Sequence, residues 1–375
     1  MKYINGRFYL EPISAHIDVT NKCNLKCIYC FYYEDPYVQL PDRDPSKDEI
    51  LDWMEQLAEI GVKFLTFSGG EAFMRPDFLE ILSSETSENF WKVILTNGIL
   101  LDEQTVEELE NVPKLLELRV SLDGFDANKK VRGVDAKVII QNIDLIGKMT
   151  DLAVHINTMI TTENLHELEK MYEWIEQHEA ISGWAIDLPI VRGRYISAMN
   201  ALRPSWSEMA PVLKRLILRY IDERPPFKLA IFSIFRESLL YPNKIKDRIY
   251  SFDLESHPCS YLPSVTIRTD GSVTLCPSLP FSIGNIRERP LRDILESPDP
   301  GSERVLRIRI RDIKKCSNCR YVKICGAGCR ANAFLETGKL IEVDSITCKM
   351  MEFFESEILP HLPRKSRELI GEYLT

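Results

Sequence analysis

Three cysteines, Cys23, Cys27 and Cys30, lie within the polar stretch DVTNKCNLKCIYCFYYED (18–35), directly after an apolar run. No fourth cysteine is near them. A structural zinc ion closes its shell with four ligands, and the neighbouring donors offer no tidy fourth. A [4Fe–4S] cluster on three protein thiolates instead leaves one iron open to a small ligand. Seven more cysteines follow much later: Cys259, Cys276, Cys316, Cys319, Cys325, Cys329 and Cys348. Ten cysteines in a reducing compartment point to metal or redox chemistry rather than to five disulfides.

Other residues with chemical potential fall at the ends of apolar runs. FSGGEAF (67–73) contains Gly69, Gly70 and Glu71. The glycines permit close approach of a ligand to backbone, and a carboxylate suits an amine or ammonium. LTNG (95–98) supplies Asn97, VSLDG (120–124) supplies Ser121 and Asp123, and VRG supplies Arg132. Asn157 and Asp187 sit in later apolar runs, where core alternation would account for them equally well. His257 stands two residues before Cys259.

These residues need elements to hold them. Between residues 13 and about 222, short β-rich runs alternate with helical patterns. The runs are SAHIDVT (14–20), VKFLTFS (62–68), KVILT (92–96), LELRVSL (116–122), AVHINTMI (153–160) and WAIDLPI (184–190). Several are apolar almost throughout, as strands covered on both faces should be. Ser46 and Glu49 form a capping box ahead of a helix that ends at Gly61, and Asp102, Thr162 and Ser205 are further expected helix starts. Six strand–helix repeats predict an α/β fold: a parallel sheet with right-handed crossovers, closed as a partial (β/α)6 TIM-like barrel with its chemistry at the C-terminal strand ends. Residues 226–256 read as a linker with a helix. Around Asp270-Gly271, VTIRTDGSVTLC reads as a β-hairpin, and the tail from Lys349 as a helix.

Net charge is −9, from 47 basic and 56 acidic residues. That disfavours nucleic acid or an anionic membrane as the main partner. No run is long and apolar enough to span a bilayer and the N-terminus has no apolar signal core, so a cytoplasmic location is expected.

The Cys-x3-Cys-x2-Cys loop, with Tyr29 before the third cysteine, resembles that of the radical S-adenosylmethionine (radical SAM) superfamily. The Gly-Gly-Glu one strand later strengthens the likeness. The cysteine spacing from Cys259 to Cys348, with Gly271-x4-Cys276, resembles the SPASM extension found in part of that superfamily. The resemblance covers about 13–350 and accounts for all ten cysteines; a zinc ribbon would use four and leave three of the seven later ones idle. It implies a core over 13–225, a SPASM domain over 257–350 and a C-terminal helix over 351–375. Cys23, Cys27 and Cys30 would bind the cluster that chelates S-adenosylmethionine. Gly69, Gly70 and Glu71 would meet the cofactor's amino group, and Ser121 and Asp123 its ribose or carboxylate. Arg132 would pair with the carboxylate, and Tyr29, Asn97 and Asn157 would complete the pocket. Cys316, Cys319, Cys325 and Cys348 would hold an outer auxiliary cluster, and Cys259, Cys276 and Cys329 an inner one, giving three [4Fe–4S] clusters. Some family members complete the inner cluster with a cysteine where Val265 stands here. His257, water or substrate could take that place.

The same resemblance implies reductive cleavage of S-adenosylmethionine and hydrogen abstraction by a 5′-deoxyadenosyl radical, with a flavodoxin- or ferredoxin-type reductant. A peptide or protein undergoing cross-linking or oxidation is the expected substrate. A small molecule, such as a tetrapyrrole side chain or an alcohol, is the alternative, and a non-catalytic electron carrier a third reading. Cys276-Pro277-Ser278 departs from the Cys-Pro-Asp of sulfatase-maturing relatives, where the aspartate is the base. Only 22 residues precede Cys23, too few for an added peptide-recognition module.

Overall fold

The six apolar runs form six parallel strands because each has one face to bury under a following helix. In the computed structural model these are β1 (Ser14–Thr20), β2 (Phe64–Gly69), β3 (Trp91–Thr96), β4 (Leu115–Ser121), β5 (Val154–Met159) and β6 (Ile181–Asp187), paired in chain order. The structure describes all residues except 1, 5, 6, 10, 11, 37–39, 233, 246–251, 259–263, 301 and 375. The crossover helices include α1 (Lys47–Glu59), α2 (Phe78–Leu82), α3 (Glu103–Glu110), α4 (Ala127–Arg132), α5 (Ala136–Met149) and α6 (Leu168–Glu176). Two more, α7 (Tyr195–Leu202) and α8 (Trp206–Glu223), follow β6.

Local sequence explains the helix boundaries. Ser46 and Glu49 form the capping box of α1, and Ile50, Trp53, Met54 and Leu57 are its buried stripe at helical spacing. Ser205 and Glu208 cap α8 in the same way, and Asp102 caps α3. Thr162 does not start a helix. Asn164 ties the turn by accepting from the Thr161 N–H at 2.7 Å, and α6 begins only at Leu168.

Strand alternation divides the sheet. Leu118, Val120, Val154, Ile156, Trp184 and Ile186 are buried on the helix-covered face. The opposite face carries Arg119, Ser121, His155, Asn157, Met159, Ala185 and Asp187, aligned across β4, β5 and β6 by the register. A polar row of this kind lines a chamber, where a packed core would be apolar.

Three expectations need correction. The segment read as linker contains a seventh parallel strand, β7 (Lys228–Ile231), beside β6, and a short antiparallel β8 (Phe235–Arg236). Among its described residues the helical content is two short turns, Glu237–Leu240 and Pro242–Ile245. The predicted hairpin forms as β9 (Ser264–Ile267) and β10 (Ser272–Thr274), followed by β11 (Ser282–Asn285), but it is not separate from the barrel. β9 runs parallel to β1, with Val265 opposite Ala15, so the sheet is continuous over eleven strands. The tail is not one helix either. The α-helix Ser345–Phe353 winds on as a π turn (Phe354–Ile358) and a 3-10 turn (Leu359–His361) that holds Pro360, and the chain breaks at Leu362 and Pro363 before Arg364–Gly371. Among the described residues no helix is long and apolar enough to cross a membrane.

Candidate functional site

The loop bearing Cys23, Cys27 and Cys30 leaves the C-terminal end of β1 and is laced to the end of β2. The Gly70 N–H donates to the Thr20 carbonyl and the Glu71 N–H to the Lys22 carbonyl, both at 2.8 Å. A Cβ on Gly70 would lie 2.2 Å from the Lys22 carbonyl oxygen, and one on Gly69 2.3 Å from that of Thr20. The close approach that requires glycine is therefore made by the cysteine loop itself. A second seam joins the loop to α4, where the Ile28 N–H donates to the Val131 carbonyl at 2.9 Å.

Glu71 is buried and its carboxylate accepts from the Thr96 hydroxyl at 2.8 Å, the Asn97 N–H at 2.6 Å and the Phe73 N–H at 3.3 Å. Burial pushes its pKa up. A carboxylate has about four acceptor sites, so these three bonds leave one unfilled. Asn97 reaches back to the cysteine loop, donating from Nδ2 to Asn24 Oδ1 at 2.7 Å. Its side chain positions the loop.

Asp123, Arg132 and Tyr29 are also buried, but they pair with one another. Arg132 Nε donates to Asp123 at 2.6 Å, the Tyr29 hydroxyl donates to the same oxygen, and the Met159 N–H donates to the other at 2.8 Å. The guanidinium also lies over the Tyr29 ring, 5.4 Å from its centroid. In the structure Asp123 and Arg132 are partners of one another. Each satisfies the other's buried charge, and Tyr29 is locked beside Cys30. Ser121 and Asn157 differ from them. They face each other in register on the chamber side; Ser121 is half-buried, and Asn157 Oδ1 is buried with no hydrogen-bond partner among the described residues. An orphaned oxygen there fits a ligand that brings a donor.

Cys316, Cys319, Cys325 and Cys348 line one pocket together with Asp344, Thr347 and Met351. None of the nine described cysteines is in a disulfide. Burial pushes the thiols of Cys27 and Cys316 up to about 11 and that of Cys325 up to about 12, so binding iron must displace their protons. Asp344 caps the helix Ser345–Phe353 through the Thr347 N–H and accepts the Cys329 N–H at 2.9 Å. Arg330 is buried beside these thiols and donates to the carbonyls of Leu340 and Glu342. Cys259 lies outside the described residues. Val265 is buried in β9 and offers no donor. His257 donates from Nε2 to the Val305 carbonyl at 2.8 Å, and its buried Nδ1 has no partner among the described residues. Burial pushes His257 down to about 4.

The sequence profile described as the Radical SAM superfamily matches residues 17–175, and the SPASM profile, an iron-sulfur cluster-binding domain, matches 259–320. The chain belongs to the radical SAM superfamily. It is a radical SAM enzyme with a SPASM domain, using iron–sulfur clusters and S-adenosylmethionine. The chain is 29% identical over 350 residues to the AdoMet-dependent heme synthase of Methanosarcina barkeri (strain Fusaro), covering 87% of this chain and 93% of that one. It is 22% identical over 376 residues to a cysteine-type anaerobic sulfatase-maturating enzyme of Clostridium perfringens, covering 92% and 96%. The solved structure of native anSMEcpe with bound AdoMet and Cp18Cys peptide superposes with a TM-score of 0.70 at 19% identity, covering 96% of this chain and 99% of that chain. This last likeness establishes the fold.

One part of the radical SAM core left no sequence signal that sets it apart from an ordinary strand-end turn. After β6, Arg192-Gly193-Arg194 packs behind the cysteine loop. The Arg194 N–H donates to the carbonyls of Cys30 at 3.0 Å and Tyr33 at 3.1 Å, and a Cβ on Gly193 would lie 2.5 Å from the Cys30 carbonyl oxygen. Only the glycine between two arginines could have drawn attention to it.

Proposed function

We propose that Cys23, Cys27 and Cys30 hold the cluster that binds S-adenosylmethionine, with Glu71 receiving its ammonium and Ser121 and Asn157 facing the nucleoside. Carrying this reading is the Gly69-Gly70-Glu71 seam. It fixes the cysteine loop against a carboxylate that keeps one free acceptor site, beside a chamber wall with an orphaned oxygen. When bound, the cluster and cofactor supply a 5′-deoxyadenosyl radical that abstracts hydrogen. The protein's own part is to orient the cofactor's ammonium at Glu71 and to keep the loop rigid through Asp123, Arg132 and Tyr29. An external flavodoxin- or ferredoxin-type donor supplies the electron. The C-terminal thiols hold two further clusters, three in all: the outer on Cys316, Cys319, Cys325 and Cys348, the inner on Cys259, Cys276 and Cys329, with His257 Nδ1 or an exogenous group in the remaining position.

For substrate, we infer an anionic organic molecule, of which a tetrapyrrole carrying carboxylate side chains is the leading class. The full-length likeness to a heme synthase supports it, as do Lys228 and Arg236, which the register places on the chamber side and which are exposed. A peptide or protein side chain is the second reading, supported by the likeness to a sulfatase-maturating enzyme over nearly the whole chain, although Ser278 is a poor base where those relatives have aspartate. The test is isotope transfer. Reduced enzyme is given tetrapyrrole carboxylates or peptides deuterated at candidate carbons, and deuterium is sought in 5′-deoxyadenosine. Transfer from a tetrapyrrole upholds the first class and transfer from a peptide the second. Label in neither, with 5′-deoxyadenosine still formed, would overturn both.

A further inference from the structure

Arg192 is fully buried, and its guanidinium joins three segments that are remote in sequence. Nη2 is paired with Asp35, whose side chain is also buried, on the segment leaving the Cys30 loop. Nη1 donates to the carbonyls of Pro277 at 3.1 Å and Ser278 at 3.0 Å, in the turn directly after Cys276. A second buried guanidinium converges on the same turn. Arg268 donates from Nη2 to the Pro277 carbonyl at 3.1 Å. The Nε atoms of both arginines are buried and have no partner among the described residues. Each buried cation loses its hydration, and the polypeptide offsets that with two buried carboxylates: Asp35, paired with Arg192, and Asp18, which interacts with Arg268. Both guanidiniums nonetheless bring positive charge to the turn that follows Cys276, and the Arg192 charge is near enough to Cys276 to interact with it.

We propose that Arg192 is a positioning residue that locks the turn carrying Cys276 onto the loop carrying Cys30, and that its charge, with that of Arg268, favours the reduced form of the cluster bound at Cys276. The proposal rests on the reading that Cys276 is a ligand of the inner cluster. One-electron reduction adds a unit of negative charge to the cluster. A guanidinium held nearby in low dielectric stabilises that added charge. Asp35 is the opposing element, because its carboxylate offsets the Arg192 charge from the far side of the guanidinium. The same clamp sets the spacing between the cofactor site and the inner cluster, since one side chain touches both loops.

The test uses the full chain with Cys23, Cys27 and Cys30 changed to Ala, so that only auxiliary clusters respond. These are titrated with dithionite and followed by electron paramagnetic resonance. The relevant signal is the one that Cys276→Ala removes. If Cys276→Ala removes no iron and no signal, the ligand reading fails, whatever Arg192 does. With the ligand confirmed, Arg192→Gln should lower the reduced-to-oxidised ratio of that signal about tenfold at fixed potential, ~59 mV for one electron. Arg192→Lys should recover most of the shift, and Asp35→Asn should move the ratio the opposite way. An unchanged ratio in Arg192→Gln overturns the proposal. So do shifts of the same sign in Arg192→Gln and Asp35→Asn, since a merely loosened loop would give that result. Should Arg192→Gln not fold, Arg268→Gln carries the same expected sign, and a rise or no change there overturns it equally.

Discussion

The two cysteine-bearing regions are held in opposite ways. The loop of Cys23, Cys27 and Cys30 takes its shape from partners far along the chain: Gly70 and Glu71 just after β2, Asn97 after β3, Val131 in α4 and Arg194 after β6. The set from Cys316 to Cys348 is organised mainly by its own segment, through Asp344, Arg330 and their local carbonyls. Its satellite core is small, built on Phe252, Ile310, Ile313, Cys316 and Ala327. The first site is thus a product of the folded barrel, sensitive to changes remote in sequence. The second also sends Ala331, Ile346, Met350 and Met351 into the main core, but its thiols are arranged by local contacts, so cluster binding and the ordering of that segment should be coupled there.

The largest effect expected from that contrast is at Gly70. Sequence reading alone puts Gly70→Val in the path of the cofactor, off the thiolates. The 2.2 Å approach to the Lys22 carbonyl places the clash in the cysteine loop instead. Gly70→Val should therefore lose the first cluster, about a third of the iron if three clusters are present, and leave the auxiliary spectrum intact. Full iron content would contradict the seam. Next comes Asp123→Ala, which strands the buried Arg132 charge. Urea denaturation should show a loss of ~3–5 kcal/mol in the barrel, and a loss below 1 kcal/mol would mean that the pair is not carrying the loop.

Asp344→Ala removes a helix cap and the acceptor for the Cys329 N–H. A cost of about 1–2 kcal/mol is expected, and hydrogen exchange should place it in the C-terminal segment, with the barrel amides unchanged. The smallest effect concerns Asp187, open to solvent at the chamber end of β6 yet enclosed enough that burial lifts its carboxyl to about 6. The unfolded value is near 3.9. A raised acid disfavours the charged form in the folded state, so the penalty is absent below pH ~4 and complete above ~6. Asp187→Asn should match the parent at pH 4 and exceed it at pH 8, by less than ~1 kcal/mol because water reaches the side chain. Equal stability at both pH values would remove the burial argument.

Local chemistry was readable in the sequence wherever one segment carried its own signal. The six strands, the capping boxes at Ser46 and Ser205 and the Asp270-Gly271 hairpin all formed as their residues suggested. What could not be read depended on distant partners. β7 is only four residues, Lys228–Ile231, just after Pro225 and Pro226, too short to stand out from a turn. The parallel pairing of β9 with β1 joins segments far apart in the chain and leaves no local mark. Asp123 and Arg132 read as cofactor contacts through the family resemblance; that they also satisfy each other's buried charge shows only in the fold. Arg192 was invisible for the same reason, its partners lying at Asp35, Pro277 and Ser278.

The central claim is that the barrel-positioned loop, and no other cysteine set, supports cleavage of S-adenosylmethionine. Its most direct test compares the reconstituted, reduced parent with the variant in which Cys23, Cys27 and Cys30 are all Ala, measuring 5′-deoxyadenosine by chromatography alongside iron content. The account predicts 5′-deoxyadenosine from the parent and none from the variant, which keeps about two thirds of the iron. Continued 5′-deoxyadenosine formation in the triple variant would contradict it.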